Sequence, residues 1–288
     1  MSLALKNKIN SDLLIFRAKI IAKIRQFFAN KNILEVDTPL LASSSVTDPF
    51  LNPLSLLYNK NTYYLQTSPE YAMKRLLCAG SGSIYQICKA FRNDEKGRIH
   101  EPEFTMLEWY EIGFKYEDII NQIDELLQFV LNTPPAKRFS YQELFLKYVG
   151  YDPLEITDDH ILDVAFNSKI EPNLEGVVIV YDYPASQAAL SKKRGKVCER
   201  FEVYINGVEL ANGYHELTDP IEHRKRFESD LIKRKALNYP ALPIDENFMA
   251  ALETGLPDCA GVALGVDRLV MAALKKTHIS DAVALTVG

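Results

Sequence analysis

Two strand-like stretches, residues 83–92 and 103–112, flank a polar loop at 93–102, and they constrain the fold more than any other feature of this sequence. Side chains alternate along the second stretch, so Phe104, Met106, Glu108 and Tyr110 share one face. A further pair, 199–205 and 208–211, flanks Asn206-Gly207, a strong signal for a two-residue type I′ hairpin. Apolar strands are predicted at 177–181 and 261–264, and long connections separate them from their neighbours. Strict strand–helix–strand alternation is missing. The pattern predicts an α+β fold, an antiparallel-rich sheet flanked by helices, and fits a doubly wound parallel sheet poorly.

The helices read from periodicity and start signals. Leu13, Phe16, Ile20, Ile24 and Phe27 recur at helical spacing and predict an amphipathic helix over 12–29. A short strand at 33–36 follows, then a polar loop over 42–61 and a strand at 62–66. Ser68-Pro69-Glu70 has the grammar of a helix start, with Ser as N-cap, Pro at the first helical position and an acid in the first turn. That helix is expected to end at Gly80. Further helices are predicted over 118–131, 221–237 and 267–275, with Gly265 as a tight junction before the last. The expected organisation is one domain over 1–288 with a smaller, less regular insertion at about 136–175.

Composition narrows the class. Of 288 residues, 47% are hydrophobic and 25% charged, which excludes a disordered or collagen-like chain and leaves room for a large core. No apolar run reaches the roughly 18 residues of a membrane span, so no membrane partner is expected. Cys78, Cys88, Cys198 and Cys259 are scattered without a C-x-x-C, which predicts no zinc site and a reduced, cytoplasmic setting. The net charge, 33 − 38 = −5, excludes a bulk basic surface for nucleic acid.

Three segments could carry chemistry. Phe104, Met106, Glu108 and Tyr110 make a plausible substrate floor, with Arg92, Arg98 and His100 in and beside the loop above it. A cationic loop over such a floor suits a polyphosphate. The plainer alternative is a solvated hairpin with surface ion pairs. Around VELANGYHEL, Glu209 and Glu216 suit Mg²⁺, which prefers oxygen ligands, provided that a bulge or turn at Asn212-Gly213 brings them to one face. Exposed acids on an edge hairpin are the alternative there. In GVALGVDRL, Gly265 would let a ligand approach the backbone and Arg268 would reach a phosphate; otherwise they are a packing glycine and a surface arginine. There is no Walker loop, no G-x-S-x-G and no H-E-x-x-H. Trp109 faces away from the floor and reads as core.

Taken in order, the long helix with ILEVDTPLL, then FRNDEKGRIHEPEFTMLEWY, then GVALGVDRL resemble the three signatures of class II aminoacyl-tRNA synthetases. TSPEYAMKRLL, ERFEVYINGVELANGYHEL and PEFTMLEWY resemble the lysyl-tRNA synthetase subgroup over most of residues 12–275. The resembling core begins almost at Met1, so no anticodon-binding domain is expected, and DYPASQAALS is similar to the short paralogues that lysylate elongation factor P.

That resemblance implies an AMP-forming ligase using ATP and Mg²⁺, with lysine or (R)-β-lysine as substrate and elongation factor P as protein acceptor. It implies a homodimer through residues 12–40. Arg92 and Arg268 would be catalytic, and Ser68, Pro69, Glu70, Tyr110, Glu216 and Ala263 would surround the amino acid. Arg92, Asn93, Asp94, Glu101, Phe104, Glu209, Leu210, Gly265 and Arg268 would hold ATP, and Glu209 with Glu216 the metal. Ala263 stands where lysyl-tRNA synthetases usually carry glycine, and Glu101 where the family usually has Asn. A methyl at 263 should crowd an α-amino group and favour an amine one carbon along. A minimal tRNA-charging enzyme and a non-catalytic paralogue remain as alternatives.

Overall fold

The computed structural model describes residues 11–93 and 96–287; Asp94 lies outside them. Helix α1 (Ser11–Asn30) buries Ile20, Ile24, Phe27 and Phe28, the apolar stripe of the sequence. Short strands β1 (Leu34–Glu35) and β2 (Leu41–Ala42) follow. The stretch expected to be a polar loop then contains β3 (Ser55–Tyr58), which turns through Asn59 and Lys60 into β4 (Asn61–Leu65). Both turn residues have positive φ, 49° and 66°, as a type I′ hairpin requires, but neither is glycine, so the turn was silent in the sequence. Strands β2, β4 and β3 form a small separate sheet. Helix α2 (Glu70–Cys78) starts one residue later than predicted. Ser68 Oγ accepts from the Glu70 N–H at 3.1 Å, and Gly80, at φ 87°, takes the left-handed turn beyond the last residues.

Next come β5 (Ile84–Phe91), β6 (Glu103–Ile112) and α3 (Tyr116–Leu131). The insertion holds β7 (Lys137–Ser140), α4 (Tyr141–Tyr148) and α5 (Asp159–Ala165), and leads to β8 (Val177–Pro184). It has a core of its own around Tyr141, Phe145, Phe166 and Tyr183, and β7 extends the main sheet. The chain continues with β9 (Lys193–Arg194), β10 (Val197–Ile205), β11 (Val208–His215) and α6 (Pro220–Ala236). It ends with α7 (Glu246–Gly255), β12 (Cys259–Gly265) and α8 (Val266–Ala273). Helix α7 was not predicted. Its signals are local: Asp245 caps the Phe248 N–H at 2.9 Å, and Phe248, Met249 and Leu252 are buried.

Among the described residues the main sheet has nine strands, in the order β1-β5-β6-β12-β11-β10-β8-β7, with β9 on β10. Its pairings are antiparallel except at the edges, where β1–β5 and β7–β8 are parallel. The fold is therefore α+β, as expected. One face packs on α1, α3 and α8 through a core that includes Phe28, Trp109, Ile123, Phe201, Val262 and Leu269. The other face is the floor of a cavity, closed at one end by α2, α6 and α7 around Tyr71, Phe227 and Phe248. No helix among the described residues is long and apolar enough to cross a membrane.

A β-bulge decides which side chains reach that floor. Val203 pairs with Ala211 but Tyr204 pairs with Glu209, so Leu210 is an extra residue in β11. Directly opposed residues share a face, so Glu209 joins Asn212, Tyr214 and Glu216 on the cavity side. The sequence placed this irregularity at Asn212-Gly213. Those residues pair regularly on both sides, and a Cβ at Gly213 would stand 2.3 Å from the Phe201 ring, so this glycine serves the core instead.

Candidate active site

The cavity holds about 560 Å³ and runs across three central strands. From β6 come Phe104, Met106, Glu108 and Tyr110, the face read from alternation. From β12 come Gly261, Ala263 and Gly265, three small residues in a row at period two. Gly261 lies opposite Tyr110 and Tyr214, and Ala263 opposite Glu108 and Asn212. Helix α2 and the residues before it add Ser68, Glu70 and Tyr71.

One end of the cavity is acidic. Lys74, wholly buried, places its Nζ 2.7 Å from Glu70 Oε1 and 2.6 Å from Glu216 Oε2. Tyr110 donates its hydroxyl to Glu108 Oε1 at 2.6 Å. The second oxygen of Glu108 and the amide oxygen of Asn212 are buried without a hydrogen-bond donor, and both residues line the cavity. Burial, reinforced by Glu70, pushes the Glu108 carboxyl up to about 8. Burial also raises Glu216 to about 7, although Lys74 pulls it down. Burial works against the charge of Lys74, but Glu216 and Glu70 together hold its ammonium above the usual range. When all three carboxyls are ionised, they face one internal cation. Two further positive charges would balance them, and the unpartnered acceptors show where donors are wanted.

The other end suits a nucleotide. The Arg92 guanidinium lies over the Phe104 ring at 5.1 Å from its centroid. Arg268 Nη1 donates to the Glu209 carbonyl at 2.7 Å and stands 3.5 Å from the Glu209 carboxylate. Its Nε donates to the Ile99 carbonyl at 3.3 Å, and its Nη2 meets His100 Nε2 at 2.6 Å. A guanidinium has only donors, so that imidazole nitrogen accepts. Leu210, Glu101 and Gly265 line the same region. Gly265 has φ −76°, and an added Cβ would come no closer than 3.7 Å to Arg268, so the backbone does not demand glycine there. It leaves a bare patch of floor.

Among the sequence candidates, the structure gathers Ser68, Glu70, Arg92, Glu101, Phe104, Tyr110, Glu209, Leu210, Glu216, Ala263, Gly265 and Arg268 around this one cavity. Two described candidates do not line it. Pro69 precedes α2, and its carbonyl accepts from the Met73 N–H. Asn93 is exposed, with its N–H on the Asn52 carbonyl at 2.8 Å. Asp94 is outside the described residues.

The paired metal ligands need correction. Glu209 and Glu216 share a face, but they stand seven positions apart along the chain, roughly 20 Å at strand rise, and Glu216 already binds the Lys74 ammonium. They cannot share an ion. Among the described residues no group of three or more His, Cys, Asp or Glu side chains could hold a metal. Glu209 alone still fits an ion that arrives on a polyphosphate, because Mg²⁺ keeps several waters and uses one or two carboxylates. Glu101 contributes a buried carboxylate oxygen without a donor in the same region.

The sequence missed Lys74. Its signal was present: Tyr71, Lys74 and Leu77 follow one another at helical spacing and all are buried, so a lysine stood on an apolar stripe. Tyr214 was missed as well, because its facing depends on pairing.

An antiparallel sheet that carries an arginine-and-aromatic end and an acidic end in one cavity has the polarity that activation of a cationic amino acid by a nucleotide requires. A family model of class II tRNA synthetases (D, K and N) matches residues 1–287, and the chain belongs to that family. Within it, the chain is similar to proteins named elongation factor P–(R)-β-lysine ligase. Those from Pectobacterium carotovorum subsp. carotovorum (strain PC1) and Avibacterium paragallinarum are both 46% identical, over 95% of this chain and 94% and 95% of their own lengths. The one from Haemophilus influenzae is 47% identical over 94% of each.

Proposed function

We propose that this chain is an ATP-dependent, AMP-forming ligase. It activates (R)-β-lysine or lysine as an acyl-adenylate and transfers the acyl group to the ε-amino group of a lysine on elongation factor P. The observation that carries the reading is the acidic end of the cavity: Glu70, Glu108 and Glu216 against the single cation of Lys74. A diamino acid brings two ammonium groups, which balance that pocket, and one carboxylate, which points toward Arg92 and Arg268. The names and extent of the similar proteins support the same substrate and acceptor.

The chemistry follows from that orientation. The substrate carboxylate attacks the α-phosphorus of ATP in line, the bond to the β-phosphate oxygen breaks, and pyrophosphate leaves with the electron pair. No protein nucleophile is needed. Arg92 above Phe104 and Arg268 beside Glu209 hold the phosphates and stabilise charge that develops on them. Glu209, with Glu101 nearby, would hold a magnesium ion, which when bound screens the phosphate charge. In the second step a neutral lysine amine attacks the acyl carbon and AMP departs.

The chain is further proposed to act in the cytoplasm as a homodimer through residues 12–40, where Leu14, Ile15, Leu34 and Leu40 present apolar side chains to the surface. Incubation of the purified protein with ATP, labelled lysine or (R)-β-lysine, and either elongation factor P or tRNA tests the reading. Label on elongation factor P is expected. Label on tRNA alone would replace the acceptor, and no ATP–pyrophosphate exchange with either amino acid would remove the activity.

A further inference from the structure

The acidic pocket contains a cation of its own, and nothing in the proposed chemistry uses it. Lys74 does not line the cavity. It lies behind the wall, with its Nζ between Glu70 Oε1 and Glu216 Oε2 and 5.8 Å from the centre of the Tyr110 ring. A buried ion pair is weak support for stability, because an apolar replacement of similar volume often serves as well. The structure therefore needs another account of why a lysine occupies an otherwise apolar helix stripe beside Tyr71 and Leu77.

We infer that Lys74 is the positioning residue of the amine pocket, fixing Glu70 and Glu216 so that each keeps one carboxylate oxygen for the substrate's ammonium groups. The inference rests on the diamino-acid reading and deepens it. Lys74 claims one oxygen from each glutamate. The other oxygen of Glu216 lies over Gly261, where an added Cβ would be only 2.8 Å away, and both glutamates line the cavity. Without the ammonium between them, two carboxylates beside a third at Glu108 would repel and turn apart. Lys74 also sets the number of charges the pocket accepts: with all three acids ionised, one internal cation leaves room for two ammonium groups. A monoamine of the same length leaves one carboxylate unmatched. Lys74 thus acts on selectivity without touching the ligand.

Amino-acid-dependent ATP–pyrophosphate exchange tests this with Lys74→Gln and Lys74→Arg. Gln keeps hydrogen-bond donors near both carboxylates but removes the charge, whereas Arg keeps the charge. For Lys74→Gln the lysine KM is expected to rise on the order of 30-fold, the scale of losing one partner of a buried charge pair, with the ATP KM and kcat little changed. The preference for lysine over norleucine should shrink with it, and Lys74→Arg should recover most of both losses. An unchanged lysine KM in Lys74→Gln, or a parallel rise in the ATP KM, overturns the inference. Should Lys74→Gln not fold, Lys74→Arg decides alone: selectivity kept with the cation present supports the inference, and selectivity lost overturns it. Failure of the wild-type chain to activate any diamino acid would instead remove the functional reading itself, and this inference with it.

Discussion

Gly261→Ala is the sharpest perturbation of the amine pocket. A Cβ at this position would stand 2.4 Å from Tyr110 Cδ1 and Cε1 and 2.8 Å from Glu216 Oε1. Ordinary contacts between such atoms lie near 3.5–4 Å, so the ring must retreat by about 1 Å or more. Tyr110 is 3% exposed and its hydroxyl is tied to Glu108 at 2.6 Å, so the ring can retreat only into the cavity, at the cost of that bond and of the amine end's volume. Overpacking of this kind costs about 1–3 kcal/mol, which lowers the melting temperature by several degrees at roughly 2–4 °C per kcal/mol. Binding should suffer separately. Losing one hydrogen bond to a charged group is worth about 1.5–3 kcal/mol, or roughly 10- to 150-fold in the lysine KM. The assay is ATP–pyrophosphate exchange at varied lysine and at varied ATP. The ATP KM should hold, because Arg92, Phe104 and Arg268 lie at the other end of the cavity. Gly265→Ala is the internal control: its Cβ meets nothing closer than 3.7 Å, so stability should not change and any effect should fall on ATP. A folded Gly261→Ala protein with wild-type lysine KM would refute the packing argument.

Four further outcomes are expected. Arg268→Ala removes the donors that meet the carbonyls of Glu209 and Ile99 and that the proposed reading places on the phosphates, so exchange should fall on the order of 10²–10³-fold, and near-normal exchange would mean the residue is misassigned. Glu108 and Glu216, raised to about 8 and about 7, bind an ammonium only when ionised, so the lysine KM should fall as pH rises from 6 to 9; a flat profile would contradict the pocket. Ala263→Gly, between Glu108 and Asn212, should widen acceptance toward α-lysine with little change in stability, and an unchanged α/β preference would remove the steric explanation. Burial, helped by Lys74, holds the His223 imidazole down to about 3, with one ring nitrogen on the Leu217 carbonyl and the other buried without a partner. Its folded value lies below its unfolded one, so the stability it contributes is present above pH 6.5 and lost as pH falls toward 3, by up to about 1.4 kcal/mol per pH unit. Denaturant melts should show a shallower acid slope in His223→Phe, and an identical slope would count against this assignment.

What the sequence revealed and what it hid divide along physical lines. Alternation on β6 was legible because a strand's two faces are fixed by period two alone, and Phe104, Met106, Glu108 and Tyr110 line the cavity while Trp109 is buried behind. Asn206-Gly207 was legible because both positions need positive φ, and they have 49° and 73°. The Asn59-Lys60 turn needs the same conformation but lacks glycine, so a strand was read as loop. The bulge at Leu210 leaves no local mark, because it exists only in the pairing of β10 with β11. Lys74 illustrates a different limit. Its burial was readable from the stripe, but its partners, Glu70 four residues away and Glu216 on a distant strand, come together only in the fold.

That bulge shows why the site is built on strands rather than on loops. Side chains alternate strictly along β11, so without the extra residue Glu209 and Glu216 would point to opposite faces of the sheet. One of the two ends of the cavity would then lose a carboxylate: the nucleotide end Glu209, beside Arg268, or the amine end Glu216, one of the two partners of Lys74. The small residues of β12 have a matching purpose, since Gly261, Ala263 and Gly265 keep the middle of the floor low between the taller side chains of β6 and β11. The spacing of the two ends is then set by strand rise, and a diamino acid in the proposed orientation would be measured against it from its ammonium groups to its carboxylate. On the proposed reading, selectivity for a diamino acid would follow from this fixed span as much as from charge: an amine displaced by one carbon would have to be met by a change on the floor itself, and Ala263, between Glu108 and Asn212, is where the floor can change without moving either end.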